Sequence, residues 1–109
     1  MKLTNAQIFD LAFSLESLIE NPMPVKLAFK LSQITLAIEN HRKSMVLVID
    51  KIPRKNDGTP EDVPFMELLQ IENEIAIEPI DQNELFESVS TISPKQLLAL
   101  MPILKGGNA

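Results

Sequence analysis

The sequence predicts a mainly α fold: an N-terminal helical hairpin with one long helix, followed by a short β element and a C-terminal helix. Three observations carry that expectation. Apolar residues recur at steps of four and three through most of residues 24–52, the period of a helix face. Two capping-box signatures, Thr4 to Gln7 and Ser93 to Gln96, mark helix starts near both ends of the chain. One stretch, "IENEIAIEPI" at residues 71–80, alternates apolar and acidic residues instead, as a half-buried strand does. The 109 residues suit a single domain, and 45% hydrophobic content is enough for a core without staples.

The elements follow in order. Thr4 caps the first helix, whose stripe is Ile8, Leu11, Leu15 and Leu18, widened by Ala12 and Ile19. Asn21, Pro22 and Pro24 stop it, and Pro24 suits the first turn of the next helix, where its missing N–H costs nothing. The short link implies a hairpin covering about residues 4–52. The second helix carries Leu27, Leu31, Ile34, Ile38, His41, Met45, Val48 and Ile52 in heptad rhythm. From residue 24 to 52 it would be on the order of 43 Å long, about twice the first helix. The unmatched half needs a cover, either the C-terminal region or a second copy. A competing strand at residues 45–49, "MVLVI", is weighed against the helix; the unbroken heptad phase favours helix.

Residues 53–64, "PRKNDGTPEDVP", are turn chemistry and form an exposed loop. Residues 65–92 form an acidic helix-and-strand segment. "FMELLQ" has a helical face, and the strand at 71–80 directs Ile71, Ile75 and Ile77 one way and Glu72, Glu74 and Glu78 the other. Its expected partner is residues 88–92 or the same strand in a second copy. "DQNELF" adds a short helical turn, and the C-terminal helix spans 93–104, limited by Pro102 and ended by Gly106-Gly107.

Composition excludes several chemistries. With no Cys, disulfides and thiolate metal sites are out, and with no Trp or Tyr a base-stacking platform is poorly supplied. The sole histidine, His41, lacks a second His or a carboxylate at i+4, so no metal is expected; it reads as a polar seam residue that fixes register and could make association pH-sensitive. None of the serines stands in a Gly-framed elbow and the three glycines cannot cradle a phosphate, so neither catalytic residues nor cofactors are expected. No apolar run reaches membrane-span length, and the N-terminus is unlike a secretory signal, so a cytoplasmic protein that avoids membranes is expected.

Charge is divided unevenly. Residues 1–55 hold eight Lys/Arg against five Asp/Glu, net +3, and residues 56–109 hold two against ten, net −8. The bases are spread along the second helix without interleaved aromatics, which disfavours nucleic acid as a partner. The ten acids between Asp57 and Glu87 form a solvated face, a complement to the basic half, or an acidic surface for a basic partner; Glu72, Glu74 and Glu78 are the candidates for that surface.

The succession "PVKLAFKL", a charged Asn/Asp/Gly loop, "FMELLQIENEIAIEPI" and "STISPKQLLALMPIL" resembles a family of small uncharacterised proteins of tailed phages and prophages. The resemblance spans roughly residues 4–104 and departs from the family at the apolar "MVLVIDKI". It implies a phage origin in a bacterial cytoplasm and supplies no functional residues. The resulting expectation is a non-enzymatic protein working through protein–protein contact, either as a homo-oligomer or with another phage or host protein. The interface candidates are Ile38, His41, Met45, Val48 and Ile52. The alternative is an acidic decoy that inhibits a nucleic-acid-binding or defence enzyme of the host.

Overall fold

The computed structural model describes residues 1–106. Strand β1 (Lys2–Thr4) leads into helix α1 (Asn5–Leu18) and the long helix α2 (Val25–Ile49). Helix α3 (Asp62–Leu69), strands β2 (Glu72–Glu74) and β3 (Ile80–Asp81), and helices α4 (Gln82–Ser88) and α5 (Pro94–Leu100) follow, then a 3-10 turn and strand β4 (Leu104–Lys105). The fold is mainly α with minor β, as the sequence predicts. Residues 45–49 are helical. At 25 residues α2 is about 37 Å long, and it accounts for much of the 46 Å long axis of the molecule.

Both capping boxes form. The Thr4 hydroxyl accepts from the Gln7 amide at 3.2 Å, and the Gln7 side chain accepts from the Thr4 amide at 2.8 Å. Ser93 and Gln96 make the same reciprocal pair at 3.1 and 3.2 Å. α1 and α2 pack as the expected hairpin, and α5 lies against the other side of α1, where the Gln96 amide donates to Ser17 Oγ at 3.0 Å. Leu11, Leu15, Leu27, Leu31, Ile38 and Leu100 are almost wholly buried between these helices. Each fully buried side chain of this kind contributes about 1.5–3 kcal/mol.

The cover for the far end of α2 comes from the same chain. α2 stops at Ile49, and Ile52 lies beyond it in the turn yet stays buried. Residues 53–61 reverse direction through Gly58, whose φ of +86° is the left-handed geometry that favours glycine. The Glu61 amide then donates to the Pro53 carbonyl at 2.9 Å. α3 thereby returns to the core, contributing Leu68 and half-buried Phe65 to the cluster that holds Met45 and Ile52. Asn5 ties α3 down: its side-chain amide donates to the Leu68 carbonyl at 2.7 Å and its Oδ1 accepts from Asn73 at 2.7 Å.

The β expectations need correction. Residues 71–80 are not one strand but two pieces, β2 and β3, with irregular backbone between them. β2 pairs antiparallel with β1, not with residues 88–92, and Asn73 faces Leu3 across it. β3 pairs in parallel with β4, Ile80 opposite Leu104. The break lets Ile75 and Ile80 both bury, while Ile71, expected inward, precedes the strand and is half exposed. The C-terminal helix is also shorter than 93–104: Pro102 cannot continue an α-helical ladder, and the chain tightens into 3-10 geometry at Met101–Ile103 before entering β4. Of the expected Gly106-Gly107 terminator, Gly107 lies outside the described residues.

Candidate functional site

The heptad stripe of α2 faces two environments. Ile38, Met45 and Ile52 are at most 8% exposed and sit in the core of this one chain. His41 is half-buried and Val48 is 45% exposed. The reason is helical phase. A 3.5-residue repeat on a straight 3.6-residue helix slips by about 20° per heptad. The line Leu27–Ile34–His41–Val48 therefore rotates out of the core, while Leu31–Ile38–Met45 rotates through it; Ile52, past the end of the helix, is buried from the turn. Three of the five interface candidates thus serve folding, which corrects their expected availability to a partner. Val48 remains on the surface.

Val48 has apolar company that heptad reasoning passes over. Val46 and Leu47 are exposed beside it, so the end of α2 carries an apolar collar of three consecutive residues. On the face opposite the core, Val25, Phe29, Leu36 and Leu47 are all bare, Val25 and Leu36 most of all. Val25, Leu36 and Leu47 recur every eleven residues, a spacing that drifts by only about 20° per repeat on an α-helix. That recurrence is the signal in the sequence that could have located this outer stripe.

The stripe is flanked by an ordered ion pair. Arg42 donates to Glu39 in bidentate fashion, Nη2 to Oε1 at 2.9 Å and Nε to Oε2 at 3.3 Å. That hydrogen bond, helped by the positive charges of Arg42 and Lys43, holds the Glu39 carboxyl below its ordinary 4.5. Glu39 in turn raises Arg42, with a smaller pull from Glu16 on α1. Phe9, Ala12 and Phe13 of α1, with Ile19 just past its end, form the opposite wall of a shallow groove of about 280 Å³ beside this pair. A wider groove of about 920 Å³ runs between α1 and α5 and is edged by exposed Phe13 and Leu98.

The acidic candidates Glu72, Glu74 and Glu78 are all exposed. They do not act as one cluster: Glu74 accepts from the Met1 amino group at 3.0 Å, and Glu78 lies beyond the strand beside Lys30, Gln33 and Lys105. Two other acids of the run join the basic half, Glu84 to Lys30 at 3.1 Å and Asp62 to Lys55 at 3.0 Å. Asp57 caps its own turn, accepting from the Thr59 hydroxyl at 2.6 Å and amide at 2.9 Å, and these bonds lower its carboxyl.

Among the described residues no group of three or more His, Asp or Glu side chains could hold a metal ion, and no helix is long and apolar enough to cross a membrane. No protein-family model matches the chain, and no curated protein or solved structure matches it.

Proposed function

We propose that this is a non-enzymatic protein of phage or prophage type whose long helix is a scaffold for protein–protein contact. One observation carries the reading: α2 satisfies its inner face within the monomer and leaves Val25, Phe29, Leu36, Val46, Leu47 and Val48 bare on the remainder. Exposed apolar residues gathered along one element characterise interaction sites rather than ordinary monomer surface. The phage assignment rests on the order of sequence motifs, and the cytoplasm of a bacterial host is the matching location. The test is Leu47→Asp combined with Val48→Asp in the full chain. Both positions are exposed, so the helical circular dichroism should persist while self-assembly or partner capture is lost. Unchanged assembly and capture would sink the proposal.

A second reading is favoured by the distribution of charge. Of the ten acids from Asp57 to Glu87, eight are exposed, spread over the loop, α3, β2 and α4. Such a surface suits a decoy for a basic nucleic-acid-binding enzyme. Exposed charges are screened beyond about 10 Å at 0.1 M salt, so decoy binding must weaken steeply with salt. Binding to a partner through the α2 stripe should persist.

A further inference from the structure

The outer stripe of α2 carries residues that match one another in pairs about its centre. Its members on the helix face are Val25, Phe29, Ser32, Leu36, Asn40, Lys43 and Leu47, all of them exposed. The spacings read 4-3-4 from Val25 to Leu36 and 4-3-4 again from Leu36 to Leu47. Any helix face repeats at four, seven and eleven about a centre, so the choice of partner rests on the residues that these positions bring together about Leu36. We infer that α2 pairs with α2 of a second copy of this chain, antiparallel, with the two-fold axis at Leu36. This rests on the contact reading above and names its partner.

The chemistry of the facing residues supports the antiparallel sense. With the axis at Leu36, Leu36 meets its own copy, and Val25 meets Leu47 at both ends. Ser32 meets Asn40, a hydroxyl against an amide that can exchange hydrogen bonds. Phe29 meets Lys43, placing the one charged member of the stripe over an aromatic face, a cation–π arrangement. The apolar collar Val46–Val48 then lies opposite Pro24, Val25 and Lys26 of the partner. A parallel pair in the same register instead sets Lys43 against Lys43 and leaves each Phe29 without its cation. Lys30, the neighbouring cation on the flank, is already neutralised by Glu84 at 3.1 Å. The stripe is about 33 Å long at 1.5 Å per residue, and it lies opposite the side on which α1 packs. The contact is isologous, so it closes at two copies instead of growing into a filament.

The absence of cysteine makes the register directly testable. Val25→Cys and Leu47→Cys are prepared separately in the full chain, one of them with a size tag, then mixed and mildly oxidised. The expected product is the mixed disulfide, well above either homodisulfide and above a Glu87→Cys control. Leu36→Cys alone should cross-link to itself, and sedimentation equilibrium of the unmodified chain should give twice the 12.2 kDa monomer mass. Lys43→Ala should weaken the dimer roughly five- to thirtyfold, because the two-fold axis makes the exposed cation–π contact twice, and Leu36→Asp, which acts twice on the axis, should abolish it. Predominance of homodisulfides would overturn the antiparallel register. A monomer at the highest soluble concentration with cross-linking at the control level would overturn the dimer. If Leu47→Asp with Val48→Asp still abolished capture of another protein in that case, the contact reading would survive the loss of this one.

Discussion

The two stripes of α2 lie on opposite sides of one helix and meet opposite fates. The inner one keeps Leu27, Leu31, Ile34, Ile38 and Met45 buried, chiefly against α1; the outer one, from Val25 to Leu47, is left exposed by the described residues. The outer stripe interleaves Ser32, Asn40 and Lys43 with its four apolar residues, where the inner has His41 alone. Helical phase sets their fates: within the inner stripe the Leu31–Ile38–Met45 line stays in the core while the Leu27–Ile34–His41–Val48 line rotates out, and the outer stripe lies on the opposite face throughout. The helix is thus both a structural wall and an available surface.

The sharpest way to break this contrast is a matched pair of truncations. Leu31→Ala removes a 1% exposed side chain, and Leu36→Ala removes a 73% exposed one five residues later. Leu31→Ala should cost about 2–5 kcal/mol, transfer plus cavity. Leu36→Ala, measured in dilute solution where the midpoint no longer depends on concentration, should stay within about 0.5 kcal/mol. Urea unfolding of both variants checks this, and similar losses would mean that the outer face is buried in the monomer after all.

The next prediction concerns what holds the inner cover in place. Asn5 is 5% exposed and joins the start of α1 to the end of α3 and to β2. Asn5→Ala removes both bonds, while the Leu68 carbonyl keeps the Ile71 amide at 3.3 Å and the Asn73 amide keeps the Leu3 carbonyl at 3.3 Å. The loss of two such hydrogen bonds should cost about 1–3 kcal/mol in all. Hydrogen exchange should accelerate first in β1, β2 and α3, where the tie acts, with α2 next to α1 still protected. A uniform loss of protection would show that the far end of α2 is not a separate unit.

A smaller effect is expected at the cap of α5. Ser93→Ala removes one half of a capping box and should cost about 1 kcal/mol. It should loosen α5 from α1, exposing the Leu100 side chain that α5 buries, without touching either stripe of α2. Chemical shifts confined to α5 and its neighbours on α1 would agree; changes spreading to the outer face of α2 would not.

How much of this was legible in the sequence follows from the range of each interaction. The capping boxes, the hairpin turn and the helices are local, and their signals lie within a few residues. The strand pairing is not local: β2 finds β1 some seventy positions away, and a three-residue strand at the N-terminus, Lys2-Leu3-Thr4, has too little pattern to announce itself. Asn5 was invisible for the same reason, since its partners are Leu68 and Asn73. At the candidate surface, Val48 was legible as apolar and on the seam, but separating it from Met45 needed the slow rotation of a heptad on a straight helix. The outer stripe was present in the spacing of Val25, Leu36 and Leu47, masked by the denser inner stripe.

The smallest predicted effect measures the wetness of the outer face itself. Glu39 lies at its edge, and the bond from Arg42 lowers its carboxyl. A group whose folded pKa is depressed contributes stability that is present above the unfolded value and lost as pH falls through the folded one. The contribution of Glu39 is therefore intact at neutral pH and disappears only in acid, below the ordinary 4.5. Carboxyl carbon NMR on the dilute chain should show a midpoint below that value, and Arg42→Gln should move it back up. Asp57, lowered instead by its bonds to Thr59, should be unaffected by Arg42→Gln and serves as the internal control. Desolvation would push a carboxyl the other way. A raised midpoint for Glu39 in dilute solution would therefore place this flank out of water already in the monomer, and the distinction between a buried and an available stripe would fail at the residue that borders both.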